Sequence, residues 1–186
     1  MKKVLLIVSS IFTLGINAQN YYGSQFIGDS GLNTPSSVFK SDRGVLISGF
    51  IGGSLTGNFP ITFKGGNADG VLTKLSEADG TIQWIKQFGS ASDEVVIDAV
   101  MDNSGNHYLT GYFMGAGSNS FDADPGPGVY NLSVTSVLAN RDIFIIKLDV
   151  NGNFLWAKQF GGSSNEQNPS LLIEQQNHTA YQNNPM

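Results

Sequence analysis

The chain writes one phrase twice. KLSEADGTIQWIKQFGS, Lys74 to Ser90, returns as KLDVNGNFLWAKQFGG, Lys147 to Gly162, with one residue fewer in its turn. A repeat constrains the fold strongly, because each unit has a face that only a neighbouring unit can bury. The match extends upstream: Asp69-Gly-Val-Leu-Thr-Lys-Leu75 aligns with Asp142-Ile-Phe-Ile-Ile-Lys-Leu148, and Trp84 with Trp156. A second half-phrase interleaves with the first. SDRGVLISGF (Ser41 to Phe50) resembles DNSGNHYLTGYF (Asp102 to Phe113), each a polar glycine-containing turn and then an alternating run ending in Ser/Thr-Gly-aromatic.

Local patterns assign strands to these phrases. In DIFIIKLD, Ile143, Ile145 and Lys147 fall on one face and Phe144, Ile146 and Leu148 on the other, so the run reads as a strand covered on both sides. Asn151-Gly-Asn153 is a tight-turn signal, and FLWAKQF returns with Phe154, Trp156, Lys158 and Phe160 on one face. Naming the strands of a unit A to D, one unit comprises Glu94–Val100, His107–Phe113, Asp142–Leu148 and Phe154–Phe160. The earlier unit has A near Ser36–Phe39, then Val45–Phe50, Gly70–Leu75 and Ile82–Phe88. NYYGSQFIG (Asn20 to Gly28) reads as a lone leading D, and EQNPSLLIEQQN supplies only a degraded trailing A. Four short strands per unit is the pattern of a β-propeller blade. The expected fold is therefore all-β, with four-stranded antiparallel blades of a propeller, incomplete at about two and a half blades. Propellers typically close with four to eight blades. The expectation is a fragment of a longer protein, the alternative being a ring assembled from several chains through open strand edges.

These phrases resemble the SBBP-type β-propeller repeat of secreted bacterial proteins. The resemblance rests on DIFIIKLDVNGNFLWAKQFGG, then an acidic position, and on the D-x-x-G-N-x-Y-L-T-G-Y pattern; it covers about Tyr22 to Ser164. Bacteroidetes relatives of this type often carry FDPGPG insertions, resembled here by FDADPGPG at Phe121 to Gly128. They frequently end in a C-terminal sorting domain for type IX secretion, which this sequence lacks. After Gly162 the pattern also loses its turn glycine and its TGY ending. The resemblance implies a fold and a compartment and assigns no activity.

The amino terminus points the same way. MKK, the apolar run VLLIVSSIFTLGI and the small residues before Gln19 have the layout of a secretory signal peptide over residues 1–18. That run is shorter than the ~20 residues of a spanning helix, so no membrane span is expected. Residues 19–166 are then the repeats and residues 167–186 a degraded partial repeat, expected to be poorly ordered. The expected location is secreted, extracellular or at the cell surface. With no cysteine in the chain, disulfides, thiolate metal sites and a lipoprotein anchor are excluded. Loss of Lys2 and Lys3 takes the basic residues from 10 to 8 against 15 acids, leaving the exported chain near −7. Such a surface argues against nucleic acid, which binds mainly through phosphate neutralisation by Lys and Arg.

Candidate chemistry is sparse. Asp122 and Asp124 in the FDADPGPG loop are weak calcium candidates, since an oxygen donor is missing at the next alternate position, Gly126. The competing reading is a turn closing a long inter-strand connection. His107 and His178 are the only histidines and have no G-x-S-x-G elbow to serve. Asp93 and Glu94, with Asp98 following, could serve as a glycosidase pair, but without an identifiable cleft of aromatic residues around them the pair is expected to decorate a loop. Trp84 and Trp156 recur at equivalent positions, as packing residues do. ADGTIQW also loosely resembles the tryptophan motif of quinoprotein propellers, whose cofactor site needs a much longer chain. The sequons at Asn131 and Asn177 carry little weight in a bacterial exporter. The expected function is non-enzymatic, without catalytic residues or cofactors. It is a binding or surface-scaffold module for an unidentified protein or glycan, able to self-associate through open edges. The alternative is part of a hydrolase or lectin with its site in missing blades.

Overall fold

In a computed structural model of the protein, residues 33–115, 120–134, 140–166 and 169–173 are described in full, and residues 5–8, 12–17 and 21–27 through their backbone. The described residues form strands and connections, with no helix. Strands β1 (Leu5–Val8), β2 (Phe12–Asn17) and β3 (Tyr21–Ile27) make one antiparallel sheet. The first four-stranded sheet comprises β4 (Asn33–Ser41), β5 (Gly44–Ile51), β6 (Asp69–Leu75) and β7 (Ile82–Phe88), joined in that order. The second comprises β8 (Glu94–Met101), β9 (His107–Met114), β12 (Arg141–Leu148) and β13 (Phe154–Phe160). A hairpin of β10 (Ser120–Asp122) and β11 (Asn131–Ser133) is inserted between its second and third strands.

The two sheets reproduce one another in register. Gly70 faces Phe88 and Lys74 faces Trp84 in the first; Ile143 faces Phe160 and Lys147 faces Trp156 in the second. Even the irregularities recur. A bulge falls between Lys74 and Leu75 and again between Lys147 and Leu148. The first strands carry another, at Pro35/Ser37 and at Val96/Asp98. Bulges fix register and bend a strand, so duplicated bulges give the two sheets the same shape.

One apolar core joins the sheets. Leu46, Leu72 and Phe88 of the first pack with Val96, Leu109, Phe113, Phe144, Ile146 and Leu148 of the second. Phe121 of the inserted hairpin completes the stack, its ring centroid 4.9 Å from Phe113 and 5.4 Å from Phe144. The reading of Asp142–Leu148 as covered on both sides needs correction. Phe144, Ile146 and Leu148 are buried against the first sheet, whereas Ile143, Ile145 and Lys147 are only half-buried. β6 is buried along its whole length.

One further expectation changes. The leading strand is present as β3, yet it is not alone: it pairs from Phe12↔Ile27 to Asn17↔Tyr21 with β2, which lies within the segment expected to be the signal peptide. The trailing segment, over its described residues 169–173, is irregular; Pro169 has no N–H to give to a ladder. Residues 174–186, with His178 and the Asn177 sequon, lie outside the described residues.

The asymmetry of covering has a measurable consequence. Phe88 is completely buried and its repeat partner Phe160 is 54% exposed. Phe88→Ala is expected to cost about 3–5 kcal/mol in urea unfolding, and Phe160→Ala less than about 1 kcal/mol. Equal losses would contradict the packing described.

Candidate functional site

The duplicated phrase builds one polar device in each sheet. Asp69 opens β6, and Gln87 in β7 lies beside it. The Gln87 amide donates to Asp69 Oδ2 at 2.6 Å and to the Thr62 carbonyl of the preceding insertion at 2.8 Å. The Lys64 amide donates to the same Asp69 oxygen at 2.7 Å. In the second sheet Gln159 donates to Asp142 Oδ2 and to the Ser133 carbonyl of the β10–β11 hairpin, both at 2.6 Å. Both aspartates are fully buried. A Cβ on Gly89 or Gly161 would fall onto the neighbouring carboxyl, so the final glycine of KQFG makes room for the aspartate. The device ties the insertion between the second and third strands to the sheet's outer pair. Sequence reading missed the glutamines' role, although their invariant place between the duplicated Lys and Phe-Gly was visible.

The turns at the other end of the second sheet are also duplicated. Asp102-Asn-Ser-Gly-Asn106 and Asp149-Val-Asn-Gly-Asn153 each fold around their aspartate. Asp102 accepts the Ser104 and Asn106 amides and the Asn106 side chain. Asp149 does the same with Asn151 and Asn153. Gly105 and Gly152 have φ of 87° and 79°, a conformation that closes the turn and strains other residues. Burial alone would raise the Asp149 carboxyl, but its hydrogen bonds together outweigh that and hold it below the ordinary range.

His107 sits between these turns and the first sheet. It is fully buried, with Nδ1 2.7 Å from the Asp149 carbonyl oxygen and Trp84 edge-on at 5.2 Å. A carbonyl only accepts, so Nδ1 carries the proton, and the buried Nε2 has no hydrogen-bond partner among the described residues. Burial lowers the imidazole pKa to about 4. This histidine is a neutral wedge between the sheets.

The acidic candidates are separately occupied. Asp93 accepts the Asn67 amide at 2.6 Å and the Asn67 side chain. Glu94 is buried and accepts from the Ser90 amide at 2.7 Å and from the Ser90 hydroxyl at 2.5 Å. Burial raises the Glu94 carboxyl to about 8, and the charges of Asp69 and Asp93 add to the rise. Asp98 holds its neighbour's amide and, at 2.9 Å, the amide of Leu171. In the FDADPGPG loop, Asp122 Oδ1 accepts the Asp124 and Tyr130 amides, and Asp124 Oδ1 accepts the Gly126 amide. The loop is thus folded around its own carboxylates. Among the described residues no group of three or more His, Asp or Glu side chains is placed to hold a metal ion.

The tryptophans differ between copies. Trp84 packs edge-on against His107 and beside Gly152, whereas Trp156 is 36% exposed, with Tyr108 as its aromatic neighbour at 6.2 Å. Against family models and curated proteins, no match was found for the chain.

The buried titratable groups set opposite pH trends. A neutral His107 with a depressed pKa stabilises the fold above the unfolded value of 6.5, and that contribution is lost as pH falls towards 4. Its full size is on the order of 3 kcal/mol. Glu94, raised from 4.5 to about 8, contributes most below 4.5 and loses this as pH rises towards 8. Urea midpoints measured across pH should show His107→Gln flattening the acid limb and Glu94→Gln the alkaline limb; unchanged limbs would refute these assignments. For the Asp122–Asp124 loop, a thermal midpoint identical with and without chelator is expected, and a fall on chelation would show a bound cation.

Proposed function

We propose that the two four-stranded sheets are blades of an SBBP-like β-propeller, and that the chain is a secreted, non-enzymatic repeat module for binding or surface scaffolding, a fragment of a longer protein. The observation carrying this reading is the duplicated unit itself. Strand order, register, bulges and the Asp–Gln–Gly device recur between Asn33–Phe88 and Glu94–Phe160, and the sheets stack face to face. Propellers are built by such radial repetition of four-stranded sheets.

The non-enzymatic part rests on the use made of the polar groups. Asp93, Glu94, Asp98, Asp122 and Asp124 accept hydrogen bonds from their own chain, and His107 is a buried packing group. A fold of this kind hosts many unrelated activities, so the ligand class, protein or glycan, is an expectation to be tested. Export through residues 1–18 would deliver the module outside the cytoplasm.

Two experiments test the reading. The reading frame beyond the codon for Met186 should resume with units of the DxFxxKLDxxGNxxWxKQFGG type; unrelated sequence after a genuine stop would contradict the fragment. Chain collected after export should bind an arrayed glycan or surface protein saturably and release no product from glycoside substrates. Turnover that survives purification would favour the hydrolase alternative.

A further inference from the structure

The second sheet has an outer face, and the first sheet supplies a template for what covers it. Leu46, Ser48, Leu72, Lys74, Trp84 and Phe88 face the second sheet, and their repeat counterparts are Tyr108, Thr110, Ile145, Lys147, Trp156 and Phe160. In the first sheet this face is closed. Phe88 and Leu72 are completely buried, the Ser48 hydroxyl donates to the Ile97 carbonyl of β8 at 3.1 Å, and Lys74 Nζ donates to the Val150 carbonyl at 3.4 Å. In the second sheet the counterparts of Phe88 and Trp84 are 54% and 36% exposed.

The entry path is also repeated. The Glu94 amide donates to the Ala68 carbonyl at 2.9 Å as the chain passes from the first sheet into β8. Glu166, at the same spacing after its own KQFG phrase, donates its amide to the Arg141 carbonyl at 3.0 Å. Arg141 and Ala68 are repeat counterparts. Beyond it, the Leu171 amide reaches the Asp98 carboxylate of β8, and Leu172 is 89% exposed. The chain thus leaves the second sheet as it left the first and turns back across its first strand.

We propose that the outer face of the second sheet, centred on Tyr108, Ile145, Trp156 and Phe160, is the seat of a third four-stranded sheet of this same repeat, joined through the Glu166 position. The proposal rests on the blade reading above and names the partner of that reading's open face. The occupant brings an apolar face equivalent to Leu109, Phe144, Ile146 and Leu148. It also brings a turn equivalent to Asp149–Asn153, whose carbonyl receives Lys147 and whose glycine lies against Trp156. Arg141 stacked on the Tyr112 ring at 4.3 Å and Lys147 on the Tyr108 ring at 4.8 Å hold the polar ends of this face in place. Lys158, opposite Ile145 on the same face, is the counterpart of Lys86, whose ammonium lies 6.0 Å from the Trp84 ring in the closed first sheet, so a lysine at this position is compatible with a covered face.

The test is a chain in which Glu94–Asn165 is written a second time directly after Asn165, with Glu166–Met186 following. It should remain a monomer in sedimentation and melt in one transition, at least about 5 °C above the parent. In the parent, Phe160→Glu should shift the midpoint by less than about 2 °C. The same substitution at the original Phe160 of the extended chain should lower it by about 10 °C or more, as burial of a charge demands. A separate low-temperature transition for the added unit, or an indifferent Phe160 in the extended chain, would overturn the proposal. So would a parent chain that self-associates and is returned to monomer by Phe160→Glu, since the occupant would then be a second copy. The reading frame beyond Met186 tests the blade reading independently, so the two can fail separately.

Discussion

A buried carboxylate bridged by a glutamine governs how each sheet is assembled. Asp69 and Asp142 lie at the start of a third strand, out of water, where a carboxylate needs hydrogen bonds to be tolerated. Gln87 and Gln159 each supply one such bond, to Oδ2, and at the same time fix a carbonyl of the insertion that crosses the top of the sheet, while Asp69 Oδ1 is buried with no hydrogen-bond partner among the described residues. Burial raises the Asp69 carboxyl, while the Lys64 amide and the Gln87 side chain pull against that rise. The glycine ending KQFG follows from this arrangement, because any side chain there would occupy the carboxylate's space. The second strand's insertion, the third strand and the fourth strand are thereby held as one body.

The same device locates the junction between sheets. Ser90 follows directly on Gly89, and its hydrogen bonds to Glu94 turn the chain into β8 beside the Ala68 carbonyl. At the opposite end His107, Trp84 and the Asp149 turn close the gap. Polar anchors at both ends leave the middle for Leu72, Phe88, Phe113 and Phe144. In the second copy Gly162 stands where Ser90 stands in the first, and Glu166 Oε2 is buried without a hydrogen-bond partner among the described residues. The junction is written again there with one donor missing, in front of a face that remains open.

Much of this was legible in the sequence, for reasons that are physical. Strands Ile82–Phe88 and Phe154–Phe160 follow from their alternation and bounding turns, and the structure gives them the same limits. The Asn-Gly turn at Gly152 was legible from its need for positive φ. The four-stranded antiparallel grouping followed from the repeat. What was not legible depends on contacts between units. Phe160 and Phe88 are the same residue in the same phrase, so no local pattern distinguishes the exposed one from the buried one. Glu94 reads as a surface acid because charge normally stays in water; only the packing of two sheets around it puts it in the interior. The pairing of β3 with β2 likewise joins the leading strand to the segment expected to be the signal peptide.

The central claim is that the repeated phrase encodes one carboxylate–glutamine device, used once per sheet. Double-mutant cycles of Asp69→Asn with Gln87→Ala, and of Asp142→Asn with Gln159→Ala, measure it most directly by urea unfolding. The account predicts coupling of about 1–3 kcal/mol in both sheets. Effects that simply add, to within about 0.5 kcal/mol, in either sheet would contradict it.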